Sequence, residues 1–243
     1  MTVYDLYLES GPRKRKTMVH VLDLLGCVAV GRTTEEAIDA APDAIVSYLD
    51  FLQRCGERSA GAKDERGAIE SRVAQHITEG KWLGNGSPYL IFASDFDPAE
   101  DQEIELFLRR FHQLRSELTS WVGALSPAEL DAEAEADGRP ARVVLLHVLA
   151  PPGGMLSAAL DGVSGFSRIE RLAEPGELRI DEVLLQVEQL AAARIRETTA
   201  EERRRVVQRA NDQRTLRKAI RRILEHDWEH LAALARRPGG PTL

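Results

Sequence analysis

Hydrophobic and polar residues alternate along the first thirty positions of the chain, which is the pattern of β-strands. Three hydrophobic residues share one side of the first such segment: Tyr4, Leu6 and Leu8. Two further strands are predicted at residues 17–22 and 27–31, and the basic residues 13–16 form the predicted tip of a hairpin. The chain is therefore expected to begin with a small antiparallel-type sheet.

After residue 31 the pattern changes to the 3.6-residue period of an amphipathic helix. Thr33 or Thr34 is placed to cap the first turn, and Glu35 and Glu36 favour the positive end of the helix dipole. Pro42 lies inside the pattern. It predicts either a kink or the true first turn of the helix.

Residues 22–37, with the sequence LDLLGCVAVGRTTEEA, resemble the HicB-type antitoxin domain. The family pattern is a strand, a D-L-P-G-C turn, a second strand, and G-x-T-x-E-E-A at the start of a helix. Leu25 stands where the family usually has proline. The resemblance implies a partial ribonuclease-H-like β-β-β-α-β fold without nuclease catalysis, which binds a protein partner.

The last strand implied by this resemblance is predicted at residues 89–93, where Leu90 and Phe92 alternate with less apolar neighbours. Residues 57–88 before it are then an insertion, with a short helix predicted at residues 69–77. The α+β domain is accordingly assigned to residues 1–96.

Helical periodicity dominates the rest of the chain, residues 97–243. The break at residues 95–98 predicts that Asp97 caps a long helix with Pro98 in its first turn. Seven apolar residues recur in that helix at spacings of three and four: Ile104, Phe107, Phe111, Leu114, Leu118, Trp121 and Leu125. Further helices are predicted at residues 142–149, 179–198 and 216–236. Four such segments favour an all-α four-helix bundle, a fold that builds metal sites from facing helices.

Two of the six histidines, His226 and His230, lie four residues apart on the last predicted helix. At 100° per residue, His230 lies about 40° from His226 and Ile223 about 60°, so both imidazoles point along the apolar face. Buried ring nitrogens need partners. A metal ion is one such partner, and zinc, nickel and iron suit paired imidazoles. The alternative is that both histidines bond to backbone or water.

The same segment also fits the letters of the inverted zinc-peptidase motif H-x-x-E-H, with Glu229 before the second histidine. That class takes a third ligand, a glutamate, far downstream, and only residues 231–243 follow here. The zincin motif H-E-x-x-H is not met, because Asp227 stands in the position of its glutamate. A peptidase is therefore not expected.

Two stretches of the helical region resemble the DinB/YfiT-like bundle family. They are residues 121–130 (WVGALSPAEL) and residues 214–231 (RTLRKAIRRILEHDWEHL). The resemblance implies a divalent metal that is bound by one histidine of the second helix and by the H-x-x-x-H pair of the last. His147 fills the first role here, and the pair just described fills the second. This chain departs from the family at Pro-Pro-Gly-Gly, residues 151–154, which predicts a break where members continue the second helix.

The DinB/YfiT-like family includes metal-dependent transferases that act with low-molecular-weight thiols. The resemblance therefore implies a thiol S-transferase or isomerase in which His147, His226 and His230 hold the metal, with Glu229 orienting a ligand or water. A non-enzymatic scaffold, a sensor, or an antitoxin-like regulator that binds a protein partner through the N-terminal domain is the competing hypothesis.

The net charge and the composition limit which kinds of binding partner are expected. The formal net charge of −7 argues against a protein built mainly to bind nucleic acid, although the region of residues 203–222 is rich in arginine. Cys27 and Cys55 form neither a metal-ligand spacing nor a disulfide framework, and no run reaches transmembrane length. We therefore expect a cytoplasmic protein without a membrane partner. A second apolar stripe on the last helix, which includes Trp228, predicts packing on the N-terminal domain or on a second copy in a homodimer.

Overall fold

The computed structural model describes residues 3–57, 69–133, 139–173, 178–210 and 212–243. The chain divides into two compact units, Met1–Leu90 and Ile91–Leu243. The sequence placed the boundary six residues later, after residue 96. Part of the predicted insertion, residues 58–68, lies outside the described residues.

The N-terminal unit follows the order β-β-β-α-β. Its elements are β1 (Val3–Ser10), β2 (Thr17–Val21), β3 (Val28–Gly31), α1 (Thr34–Arg54) and β4 (Glu70–Ile77). The strands lie in the order β3-β2-β1-β4. β2 runs antiparallel to both β1 and β3, whereas β4 runs parallel to β1. The small sheet with its helix is confirmed, but the sheet is mixed and not antiparallel throughout.

β4 corrects two predictions at once. Residues 70–77 form a strand where a helix was predicted at residues 69–77, and residues 89–93 contain no strand. Ile69, Val73 and Ile77 recur every four residues and so imitate helical spacing. β4 is an edge strand with mostly exposed or half-buried side chains, so the sheet does not impose an alternating pattern on it.

Helix α1 contains a proline, Pro42, that neither begins nor ends it. The Thr33 hydroxyl accepts from the backbone N–H of Glu36, so Thr33 is the N-cap. Pro42 lies inside the helix, which continues to Arg54. Gly31 is required where β3 ends, because a Cβ there would lie only 2.3 Å from the backbone nitrogen of Ala37.

The second unit is helical apart from one small hairpin. Its elements are α2 (Asp101–Gly123), α3 (Pro127–Asp131), α4 (Ala141–Ala159), α5 (Phe166–Ala173), α6 (Ile180–Arg196), α7 (Ala200–Arg204), the hairpin β5 (Val207–Arg209) and β6 (Asp212–Arg214), and α8 (Leu216–Ala235). Helices α6 and α8 each pack against both α2 and α4. The four long helices therefore share one core, in which α4 and α8 are neighbours that pack directly against each other.

The start of α2 differs from the prediction. Glu100 is the N-cap, and the helix begins at Asp101. Residues Ala93–Phe96 form a 3₁₀ turn, in which the buried Asp95 carboxylate accepts from the backbone N–H of Phe92. That turn ends at Phe96, directly before Asp97 and Pro98, with which the helix was expected to start.

The predicted break at residues 151–154 is wrong, because α4 runs continuously through both prolines and both glycines. Pro152 and Gly153 are buried. A Cβ at Gly153 would lie 2.6 Å from Cβ of Phe166, so the glycine lets α5 approach α4 closely. Tertiary packing thus holds a helix that local propensity disfavours.

Among the described residues, one helix is long and apolar enough to cross a membrane by length and composition, and it is α4. The sequence had predicted no run of that length. The core helix of a globular protein passes the same test. α4 packs against both α6 and α8, as the core helix of a globular protein does.

The second apolar stripe of α8 is covered within the single chain. Its four members are all buried: Ile220, Leu224, Trp228 and Leu231. Covering this stripe therefore does not require a second copy, and the homodimer stays a prediction.

The arginine-rich region forms α7, the hairpin and the start of α8, and not one basic helical face. Seven of its arginines pair with acidic side chains: Arg203 with Asp101, Arg205 with Glu201, Arg209 with Asp161, Arg214 with Asp212, Arg217 with Glu103, Arg221 with Asp95, and Arg222 with Glu225. An arginine that is already paired with a carboxylate attracts a phosphate group less strongly, which favours a structural role for these arginines.

Candidate metal centre

The three predicted histidines meet between two facing helices. His147 comes from α4, and His226 and His230 come from α8. One potential ligand atom from each lies within 4.8 Å of the other two. The ring centroids are 4.9 Å apart for His147 and His226, 5.0 Å for His147 and His230, and 4.4 Å for the pair on α8.

One pair of nitrogens already has the spacing of metal ligands. Nε2 of His226 lies 3.2 Å from Nε2 of His147. Zinc–nitrogen bonds of 2.0–2.1 Å in a tetrahedral site place neighbouring nitrogens about 3.3 Å apart. The ligand atom of His230 lies within 4.8 Å of those of the other two histidines.

Burial keeps two of the imidazoles neutral. His226 is buried, His230 is half-buried and His147 is exposed. Desolvation lowers the pKa of His226. It also lowers the pKa of His230 to about 3, with smaller contributions from the other two histidines and two nearby arginines. Both rings are therefore in the neutral form that binds metals at neutral pH.

The other ring nitrogen of His226 faces a carboxylate. Nδ1 is buried and has no hydrogen-bond partner within the described part of the chain. It lies 4.0 Å from Oδ1 of Asp227, which is too far for a hydrogen bond. In many proteins a carboxylate beside the non-ligating ring nitrogen orients a histidine ligand, and Oδ1 of Asp227 is the carboxylate atom on this side of His226.

Asp227 is itself held by a buried arginine of α2. Nε of Arg115 lies 2.6 Å from one carboxylate oxygen, and Nη2 lies 3.0 Å from the other. Neither side chain is exposed to solvent. Nη2 also donates to the backbone carbonyl of Val148 at 3.1 Å. Arg115 therefore links the residue after His226 to the residue after His147.

A second buried ion-pair network precedes the histidines on α8. Arg221 binds both oxygens of Asp95, at 2.8 and 2.7 Å, and also contacts Glu225 at 3.0 Å. Arg222 donates to the same glutamate at 2.7 Å. The buried acids next to the cluster are thus neutralised by arginines, and the imidazoles remain as the donor groups.

Sequence reasoning found the histidines but missed Asp227 and Arg115. It assigned an orienting role to Glu229, which is half-buried on α8, and that role stays a prediction. It did not name Asp227, whose Oδ1 lies 4.0 Å from Nδ1 of His226. The position of Asp227 next to His226 was a usable signal. Arg115 gave none, because its partner lies 112 residues away in the chain.

Comparison with protein-family models, curated proteins and solved structures finds no match for this chain. The site therefore has to be interpreted from its own chemistry. Three imidazoles, two of them kept neutral by burial, converge closely enough that the cluster could hold a metal ion. Imidazole donors suit zinc, nickel and iron, and they do not distinguish among these metals.

Proposed function

We propose that the C-terminal unit is a divalent-metal-binding bundle of the DinB/YfiT-like type, with His147, His226 and His230 as the metal ligands. The observation that carries this proposal is the convergence of the three ring nitrogens within 4.8 Å. The pairing of one histidine on α4 with an i, i+4 pair on α8 supports it further, because a bundle builds metal sites from facing helices.

A three-histidine donor set leaves coordination positions for a water molecule or a substrate, as in catalytic rather than structural sites. A bound divalent ion would lower the pKa of a water or thiol in that position. We extend the proposal to a thiol S-transferase that uses a low-molecular-weight thiol. The chain's own contribution is to hold neutral imidazoles on two packed helices with an orienting carboxylate behind one of them.

For the N-terminal unit the proposal is a HicB-like module that binds a protein partner. Its β-β-β-α-β order and the G-R-T-T-E-E-A segment at the start of α1 support this assignment. Co-purification of a short basic protein with the full chain would identify an antitoxin-like role.

The metal proposal is tested by cobalt titration of untagged protein. We expect one cobalt ion per chain, with visible d–d absorption of a four- or five-coordinate site. His147→Ala should abolish this absorption, because it removes one of three ligands. His112→Ala is the matched control: His112 lies in the same unit, is exposed, and pairs with Glu188 at 2.8 Å. Equal cobalt binding by the wild type and His147→Ala would refute the assignment of His147.

The enzymatic extension is tested separately on metal-loaded protein with common low-molecular-weight thiols and an electrophilic acceptor. Turnover that requires His147 supports the transferase. Stoichiometric metal without turnover removes the transferase and leaves a metal-dependent sensor or scaffold.

A further inference from the structure

Arg115 lies where three helices meet beneath the histidines. It comes from α2, contacts the carboxylate of Asp227 on α8 with two nitrogens, and donates to the carbonyl of Val148 on α4. Its guanidinium also stacks over the ring of Phe111, 5.1 Å from the ring centroid. Each polar partner immediately follows a histidine of the cluster in sequence.

The carbonyl of Val148 is available because of a proline. In a regular α-helix this oxygen would accept from the N–H of residue 152, four positions later. Residue 152 is proline, which has no N–H to donate. The buried carbonyl must then find another donor, and Arg115 supplies it at 3.1 Å. The Pro-Pro pair therefore gives Arg115 its anchor point on α4.

The burial of this ion pair argues for a positional role. Buried charges lose hydration, and replacing such a pair with well-packed apolar residues is often neutral or stabilising. One nitrogen of Arg115, Nη1, is buried without a hydrogen-bond partner among the described residues, which adds to the cost. An ion pair that carries this desolvation cost and joins three helices is best explained by the geometry it imposes.

We infer that Arg115 is a positioning residue for the three-histidine centre. It sets the distance between His147 and His226 by joining the backbone of α4 at Val148 to the side chain of Asp227 on α8. It also holds that carboxylate beside Nδ1 of His226. This inference rests on the proposed metal-binding function and names the residue that pre-forms the site.

The test compares metal affinity with stability in Arg115→Met/Asp227→Leu, which replaces both partners with apolar side chains. We expect cobalt affinity to fall about 10- to 100-fold, the usual effect of losing a group that supports a ligand. The cobalt d–d spectrum should weaken and shift, while the urea midpoint falls only modestly, because the buried charges leave together and the Val148 carbonyl alone loses its donor. The matched control is Arg217→Gln/Glu103→Gln, which removes another ion pair between α2 and α8, about two and a half turns before His226.

The outcomes separate this inference from the proposed function. Wild-type protein that binds no cobalt overturns both. Wild-type binding with unchanged affinity and spectrum in the double variant overturns only the positioning role. If the double variant does not fold, Arg115→Lys decides by the same two measurements. It keeps the cation, but its single nitrogen does not span both acceptors, so the loss of affinity is again expected.

Discussion

At the scale of single residues, Lys218 shows how burial changes a charge. Its side chain is 3 % exposed and donates to the backbone carbonyl of Gln213 at 3.2 Å. Desolvation lowers its pKa from 10.5 to about 7, assisted by the positive charges of Arg214 and Arg221. Asp212 lies 3.8 Å away and partly compensates.

Lys218→Met should remove a pH dependence of stability at alkaline pH. Between pH 7 and about 10, the unfolded chain keeps the proton on Lys218 while the folded chain has lost it. The free energy of unfolding therefore rises with pH in this window, by up to about 1.4 kcal/mol per pH unit for one group. Below pH 7 both states are protonated and the contribution is constant.

The measurement is urea unfolding of wild type and Lys218→Met at pH 7 and pH 9, where only the difference between the two proteins is interpreted. The wild type should gain about 1–2 kcal/mol relative to the variant on going to pH 9. An identical pH response in both proteins would show that Lys218 keeps its proton in the folded state.

The residues of the candidate site differ in how well the sequence around each of them predicted its role. His226 and His230 were predictable because their spacing of four is a local signal, and His147 followed from the resemblance to a bundle family. Arg115 was not predictable, because a lone arginine among the apolar positions of α2 does not indicate which distant carboxylate it will meet. Buried ion pairs depend on tertiary partners, which a periodic pattern does not encode.

At the scale of elements, the double proline of α4 has two separable effects on the molecule. Proline inside a helix lowers stability, since it removes a hydrogen bond and crowds the preceding turn. Here Pro152 also releases the Val148 carbonyl, which Arg115 then binds. Replacing Pro152 should consequently raise the free energy of unfolding but weaken the positioning of the candidate site.

Pro152→Ala should raise the free energy of unfolding by about 1 kcal/mol and weaken cobalt binding several-fold. The stability gain is the helix preference for alanine less the packing lost around the buried ring. The affinity loss follows because residue 152 then has an N–H to which the Val148 carbonyl can bond along the helix, in competition with Arg115. Pro42→Ala in α1 is the matched control, an interior helical proline of the other unit that should leave cobalt affinity unchanged.

The elements themselves were partly predictable. β1 to β3, α1 and the long helices follow from periods of two and 3.6 that burial enforces on each of them. The two wrong predictions, at β4 and α4, share a cause. β4 is an exposed edge strand, and α4 stays helical past its two prolines because it packs against neighbouring helices. In both cases the local signal was weak or misleading, and contacts distant in sequence decided the structure.

At the scale of the whole molecule, the division into two units predicts that metal stabilises one of them. A ligand that binds only the native state adds about 2.7 kcal/mol at one hundred times its dissociation constant. For a unit of this size that corresponds to a rise of about 5–10 °C in the unfolding temperature. Zinc or cobalt should therefore raise the transition of Ile91–Leu243 and leave that of Met1–Leu90 in place.

Tryptophan fluorescence can follow the two units separately. Trp82 lies in the first unit and is 70 % exposed, whereas Trp121 and Trp228 lie in the second. Trp82→Phe leaves only the second unit's reporters, and its melting curve should shift with metal. A double variant that keeps only Trp82 should show a melting temperature independent of metal. Equal shifts in both proteins would mean that the two units unfold as one.

The buried ion pairs also determine when the second unit can fold during synthesis. Arg115 meets Asp227 across 112 residues, and Asp95 meets Arg221 across 126. On the ribosome, the sheet and its helix can close once the first ninety residues have emerged. The second unit must wait for its final helix, and until then two charges destined for the interior stay in water. A nascent chain that stalls before α8 would therefore carry a folded N-terminal unit. Its second unit would still be incompletely folded and accessible to chaperones.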